Sequence, residues 1–405
     1  MNIFSFADTR FPIERANGVQ TMQTCHALAS HGHTVTLLVR PDSHTPARDV
    51  YAFYGLPPVS GLRIEAVATS GAATLRRARM LWEGLRRALS GSYDVVFTRD
   101  LGLASLLTRV PRSRRPKLIY ESHGIAPIVS AEMPRLLGRP DLTPSASKLR
   151  RLDRRDGSVW RHADAYVTIT RALADDLAAR YGRRADVFVV PDGTVVGGVG
   201  GVGDVGEVGR TSEGAKADGA PITAGYAGHL YPWKGIDVFV RAIALTPSIR
   251  GLIVGGHPGE ADLARVTTLI NDLGLSHRMT ITGLLPPTHV AAALDEADVL
   301  VLPNTHSAIS DRYTSPLKLF EYLTRERAVV ASDLPSIREI LTDEHTALLV
   351  QAGDPEALAG ALQRLAADAS LRQRLAAAAL ALAPDFSWAR RAERLEPALQ
   401  AAVRS

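Results

Sequence analysis

Short apolar runs alternate with amphipathic stretches along most of the chain. In the first half, residues 2–6, 34–39, 62–67, 94–98, 117–121, 165–169 and 187–190 are brief and rich in β-branched or aromatic residues. They read as strands. Residues 19–30, 75–89 and 172–181 between them carry helical spacing. The alternation resumes further on, with strand-like runs at 222–225, 251–254, 279–282, 299–302, 329–332 and 347–350. Helical patterns follow at 236–245, 260–273, 289–294, 316–324 and 356–367, and again at 371–382 and 387–403. Strands alternating with helices predict βαβ units on parallel sheets. The fold class expected is α/β, with two doubly wound Rossmann-like domains facing across a cleft: residues 1–194 first, 220–385 second.

Between them, residues 195–219 are Gly/Val-rich and without core periodicity, and read as a flexible linker. Gly201, Gly203 and Gly206 match G-x-G-x-x-G there, but no strand leads in and no helix opens out. The match is a by-product of glycine content, since that fingerprint works only where a strand-to-helix turn gathers amides on a phosphate.

Composition narrows the class. The 405 residues are 46% apolar and 22% charged, as in ordinary globular domains. A single cysteine, Cys25, excludes a disulfide scaffold or a multi-cysteine metal centre. The N-terminal residues have no basic, apolar leader pattern, and no apolar run reaches membrane-spanning length. Cytoplasmic residence is therefore expected. Charge is uneven: residues 1–194 hold 28 Lys and Arg against 18 Asp and Glu, and the rest hold 19 against 24. The excess lies in two basic amphipathic stretches, 74–89 and 147–162, which suggest contact with an anionic membrane surface. The alternative is a solvated helix face. Few aromatics interleave the arginines, so nucleic acid is not expected as a partner.

Chemistry concentrates after two strands of the second half. In Thr314-Ser315-Pro316-Leu317-Lys318-Leu319-Phe320-Glu321, Ser315 reads as an N-cap and Pro316 as the first helical residue. The free amides of that helix start suit an anion, and Lys318 and Glu321 share a helix side. In Gly228-His229-Leu230-Tyr231-Pro232-Trp233-Lys234-Gly235, Gly228 allows close backbone approach, and Lys234 stands just before a helix, where an ammonium can meet a phosphate. A capped surface helix and a turn with a solvated lysine are the plainer readings of these two segments.

Taken jointly, the segments resemble the retaining nucleotide-sugar glycosyltransferases of the GT-B fold, family 4. The resemblance runs through Ala16-Asn17-Gly18-Val19-Gln20, residues 228–235, Leu252-Ile253-Val254-Gly255-Gly256, Ile281-Thr282-Gly283, residues 315–321, Ile337-Arg338-Glu339 and Phe386-Ser387-Trp388. It implies that Lys234 grips the donor diphosphate and that Glu321 binds the ribose hydroxyls. Ser315, Pro316 and Leu317 would turn amides to the phosphates, with Gly18, Gly228, His229, Gly283 and Lys318 completing the donor site. His123, in Tyr120-Glu121-Ser122-His123-Gly124, would lie near the transferred sugar and the acceptor. The helix from residue 386 would pack back on the first domain.

Two positions depart from the family pattern. Tyr313 stands where a first glutamate is usual, and His229 where an arginine is usual. No D-x-D triplet occurs, so transfer without a metal and with no cofactor is expected, from a nucleotide diphosphate sugar to a glycan, lipid-linked or small-molecule acceptor. A nucleotide-sugar epimerase of the same fold and an inactive sugar-nucleotide-binding relative are the alternatives.

Overall fold

A computed structural model describes residues 1–196 and 221–404. Of the Gly/Val-rich linker, all but residues 195 and 196 lies outside the described residues. The chain divides into two compact units, one of Met1–Ala131, Pro144–Val202 and Phe386–Ser405, the other of Glu132–Thr143 and Gly203–Asp385.

The first unit is built on seven strands: β1 (Asn2–Arg10), β2 (Thr34–Arg40), β3 (Leu62–Ala66), β4 (Val95–Thr98), β5 (Lys117–Ser122), β6 (Ala165–Thr168) and β7 (Val187–Val189). They pair in the order β3-β2-β1-β4-β5-β6-β7, all parallel. The second unit has six: β8 (Ile222–Ala227), β9 (Ile249–Val254), β10 (Met279–Ile281), β11 (Val299–Leu302), β12 (Ala328–Ser332) and β13 (Leu348–Val350). Their order is β10-β9-β8-β11-β12-β13, again parallel. Both units are therefore doubly wound α/β folds. In each the strand order reverses once, between β1 and β4 and between β8 and β11. Ligands of such sheets sit at that switch point, outside the carboxyl ends of the strands.

Helices on both faces explain the strand composition. β4, β6, β11 and β12 are buried at every position, so their sequences VVFT, AYVT, VLVL and AVVAS show no polar alternation. The helix Ile236–Ala244 buries Ile236, Phe239, Val240 and Ile243, spaced three and four apart. They join Tyr226, Ile253 and Val301 in one core cluster. Burying each such side chain contributes about 1.5–3 kcal/mol.

The last helix, Trp388–Arg404, buries Trp388, Leu395, Ala398 and Leu399. It packs on the helix Ala16–Ser30 and on β5, β6 and β7, so the first unit is closed by the last segment of the chain.

Most element ends differ from expectation by one to three residues, and three differences matter here. β1 continues past Phe6 to Arg10, which pairs with Arg40 after an irregularity. The helix expected at 289–294 runs from Pro287 to Asp295. The helix expected to begin at Pro316 begins at Leu317. Pro316 is itself the N-cap, with an extended ψ of 121° and no side-chain cap, so Ser315 stands one residue outside. Among the described residues, no helix is long and apolar enough to cross a membrane.

Candidate functional site

In the second unit three glycine-bearing strand ends converge. Gly228 follows β8, Gly255 follows β9 and Gly283 follows β10, all at positive φ (127°, 146° and 74°). A Cβ on Gly255 would lie 2.2 Å from the carbonyl oxygen of Gly228, and Gly255 bridges Gly283. Only glycine fits such crossings.

The loop after β8 then meets the end of β11. It forms a short 3₁₀ turn, Pro232–Lys234, and Gly235 takes a left-handed conformation as N-cap of the helix Ile236–Ala244. A Cβ on Gly235 would fall 1.6 Å from the carbonyl oxygen of Pro303. Thr305 fastens the loop, its amide and hydroxyl each donating to the carbonyl of Trp233 at 3.2 Å. Lys234 lies over the Trp233 ring, with Nζ 3.7 Å from the centroid. Its pKa is lowered to about 8 by burial.

Lys318 reaches the same place from the helix Leu317–Leu323. Its Nζ donates to Tyr226 Oη at 3.0 Å and lies 4.2 Å from that ring's centroid. Tyr226 Oη in turn donates to the carbonyl of His229 at 2.6 Å. A Cβ on Gly228 would come within 2.3 Å of Lys318 Nζ, so the glycine makes room for the ammonium. Burial, and then the charge of Lys234, hold Lys318 well below the ordinary lysine range, while Glu321 opposes the shift. Burial raises the Glu321 carboxyl, against the pull of Lys318 and Arg325. The helix is fixed by Tyr322, whose Oη accepts from the amide of Ala227 at 2.9 Å and donates to the carbonyl of Val301 at 3.4 Å. Two lysines thus lie within electrostatic reach of one another at the β8/β11 switch point, with the Glu321 carboxyl a turn along the helix. Such an arrangement is unfavourable until an anion enters.

The two departures from the family pattern have clear surroundings. Tyr313 is buried at 4% exposure. His229 stacks on Tyr231, with centroids 4.9 Å apart and planes within 7°, and its Nδ1 lies 3.6 Å from Glu260. Nearby, the buried atoms Trp233 Nε1 and Asn304 Oδ1 have no protein partner. Neither residue was singled out from the sequence, because an indole and an amide in a loop carry no spacing signal.

Gly18 and His123 belong to the first unit. Gly18 sits in the first turn of the helix Ala16–Ser30, where a Cβ would collide with Ile13 and come within 2.9 Å of Tyr54 Oη. His123 follows β5, and its Nε2 lies 2.6 Å from Glu121 Oε1. Glu121 is 1% exposed and gathers three partners. Gln20 Nε2 donates to its Oε1 and Arg391 Nη2 to its Oε2, both at 2.6 Å. Burial pushes the Glu121 carboxyl up, but Arg391, His123 and Arg99 outweigh it and hold it at about 2. His123 is lowered by burial and by Arg99, against Glu121 and Asp192. Arg391 arrives from the last helix, 270 residues along the chain, and no local pattern announces it.

Of the two basic stretches, the helix Ala73–Ser90 is largely tied down. Arg77 pairs with Asp8 and Asp100 at 2.6 and 2.7 Å, and Arg87 with Glu65 and Glu83. Its outer face keeps Leu75, Trp82 and Leu89 exposed at every seventh residue, beside the exposed Arg79 and Arg86.

Comparison with known proteins gives the family of the chain. Residues 17–193 match the model of the glycosyl transferase 4-like domain, and residues 221–368 that of the glycosyl transferases group 1. A D-inositol 3-phosphate glycosyltransferase of Nocardia farcinica is 30% identical over 78% of this chain and 68% of its own length. Against three further relatives of that description, the chain spans 54–55% of their length. Two solved structures share the fold. The sucrose-phosphate synthase of Thermosynechococcus elongatus has a TM-score of 0.72 at 18% identity, covering 98% of this chain and 97% of its own. Anabaena HepE, in complex with UDP and glucose, has a TM-score of 0.71 at 17% identity, covering 99% of each. Two domain matches in tandem, a relative aligned over most of both chains and the paired parallel sheets agree: this chain is a glycosyltransferase, and it belongs to the GT-B glycosyltransferases of family 4 type.

Proposed function

We propose that this glycosyltransferase draws its sugar from a nucleotide diphosphate sugar, transfers it with retention of anomeric configuration, and needs no divalent metal. The observation that carries the reading is the pair Lys234 and Lys318 at the β8/β11 switch point. Two half-buried ammonium groups with a single neighbouring carboxylate match the charge of a diphosphate, and they stabilise the charge that grows on it as the sugar leaves. Lys318 then supplies positive charge where His229 stands in place of the family's arginine. The helix Leu317–Leu323 is only seven residues long, so the lysines matter more than its dipole. Glu321 accepts hydrogen bonds from the ribose hydroxyls, and His123 meets a hydroxyl of the reacting sugars. The description of HepE as holding UDP and glucose supports the donor class. The acceptor is a glycan, a lipid-linked sugar or a small molecule.

Transfer is to be assayed across a panel of nucleotide sugars, after a thermal-shift screen for binding, since a ligand selective for the folded state raises its stability. Lys234→Ala and Glu321→Ala are each expected to lower transfer by about tenfold or more, a loss of about 1.4 kcal/mol. Unchanged transfer in both variants refutes the assignment. Retention is read from the anomeric proton of the product, and metal independence from full activity in a chelator. On this reading the enzyme works in the cytoplasm, against the inner face of a membrane, through Leu75, Trp82 and Leu89 flanked by Arg79 and Arg86. Trp82→Ala is expected to weaken flotation with anionic vesicles and leave the melting temperature alone. Equal flotation of both proteins removes the membrane contact.

A further inference from the structure

We propose that Glu121 and Arg391 are the positioning pair of His123. Arg391 balances a buried carboxylate, and that carboxylate holds the imidazole in the Nε2–H form, so that Nδ1 accepts a hydrogen bond from a sugar hydroxyl. The inference rests on the role proposed for His123 above and extends it to residues that touch no substrate.

The geometry builds the pair from three separate segments. Glu121 is the last residue but one of β5, Arg391 comes from the helix Trp388–Arg404, and Gln20 from the helix Ala16–Ser30. Glu121 Oε1 accepts from both Gln20 Nε2 and His123 Nε2, and Oε2 accepts from Arg391 Nη2, each at 2.6 Å. An ionised carboxylate only accepts, so the ring nitrogen facing it must carry the proton. In a neutral imidazole the other nitrogen, Nδ1, then holds the lone pair. Gln20 is held in turn, its Oε1 accepting from Arg99 Nη1 at 2.8 Å. Arg391 is itself locked, donating from Nη1 to the carbonyls of Val190 and Pro191 at 3.0 and 2.9 Å and from Nε to Thr24 Oγ1 at 3.2 Å. Its side chain is 2% exposed, and Asp192 lies 4.0 Å away. The charged groups facing His123 are therefore Glu121, Arg99 and Asp192, with Arg391 behind them. A buried carboxylate left without its cation is strongly destabilising, which is why the pair must be complete for the ring to be held.

Long-range proton–nitrogen spectra of the imidazoles in the full chain read the tautomer without reference to transfer. His123 is assigned by the signal missing in His123→Gln. The native protein is expected to show His123 as a single Nε2–H tautomer, and Glu121→Gln to lose that pattern. An Nδ1–H ring in the native protein, or an unchanged ring in a folded Glu121→Gln variant, overturns the proposal. In transfer assays Glu121→Gln is expected to lower kcat about tenfold with the donor KM within about twofold, and to add no loss to His123→Gln. Losses that add fully overturn it. Should Glu121→Gln not fold, Glu121→Gln with Arg391→Met removes both charges and serves in its place. If no nucleotide sugar is transferred at all, the reading of function fails, while the native tautomer still decides the positioning claim.

Discussion

Lys234 sets the pH response expected of donor binding. Burial brings its pKa down to about 8, and a bound diphosphate would raise it again. Below pH 8 Lys234 is protonated with or without donor and adds no pH dependence of its own. Above it the free protein has lost the proton, and binding must recover one. The dissociation constant is then expected to rise by up to about tenfold per pH unit until the bound-state pKa is reached. Titration calorimetry at pH 7 and pH 9 measures this, and equal affinities would count against Lys234 as a diphosphate ligand. Gly228, Lys234 and Glu321 were legible in the sequence because each sits in a continuous motif of a few residues. Arg391 was not, since its partner Glu121 lies 270 positions away and a lone arginine in an amphipathic helix looks like any other.

The loop of residues 228–235, proposed above to hold the donor, is a short element whose shape depends on one backbone crossing. At Gly235 the φ of 76° and the carbonyl of Pro303 together leave no place for a Cβ. Gly235→Ala is expected to cost about 2 kcal/mol or more and to displace Lys234 with the turn. A melting temperature and a donor affinity both equal to the native values would show that the loop tolerates the change. The main strands and most long helices are readable from periodicity; the helix Ala126–Leu136, which carries an internal proline, is not. The helices Leu101–Leu107, Ala308–Arg312 and Pro335–Arg338 were not, because segments of four to seven residues complete at most two turns. The helix Leu317–Leu323 starts one residue later than its sequence suggests. Proline favours the first helical position, but here Pro316 keeps an extended ψ and the helix opens after it.

For the whole molecule, the informative element is the helix Trp388–Arg404. It buries an apolar stripe on the first unit and supplies the cation for Glu121. Deleting residues 386–404 removes both. Loss of the buried partner alone is expected to cost about 3–5 kcal/mol, a large fraction of a domain's stability. Hydrogen exchange should then show β5, β6 and β7 unprotected, and native-like protection there would contradict this.

That connectivity also bears on biosynthesis. The seven-stranded sheet is made first but lacks its closing helix until translation has passed through the entire second unit. While the nascent chain is still being extended, Glu121 has no guanidinium to meet, and the surface destined for Leu395 and Leu399 stays open to solvent or to a chaperone. Maturation of the first unit is thereby tied to synthesis of a helix that follows the second, and a chain cut short before residue 386 would leave the Glu121 carboxylate without its cation.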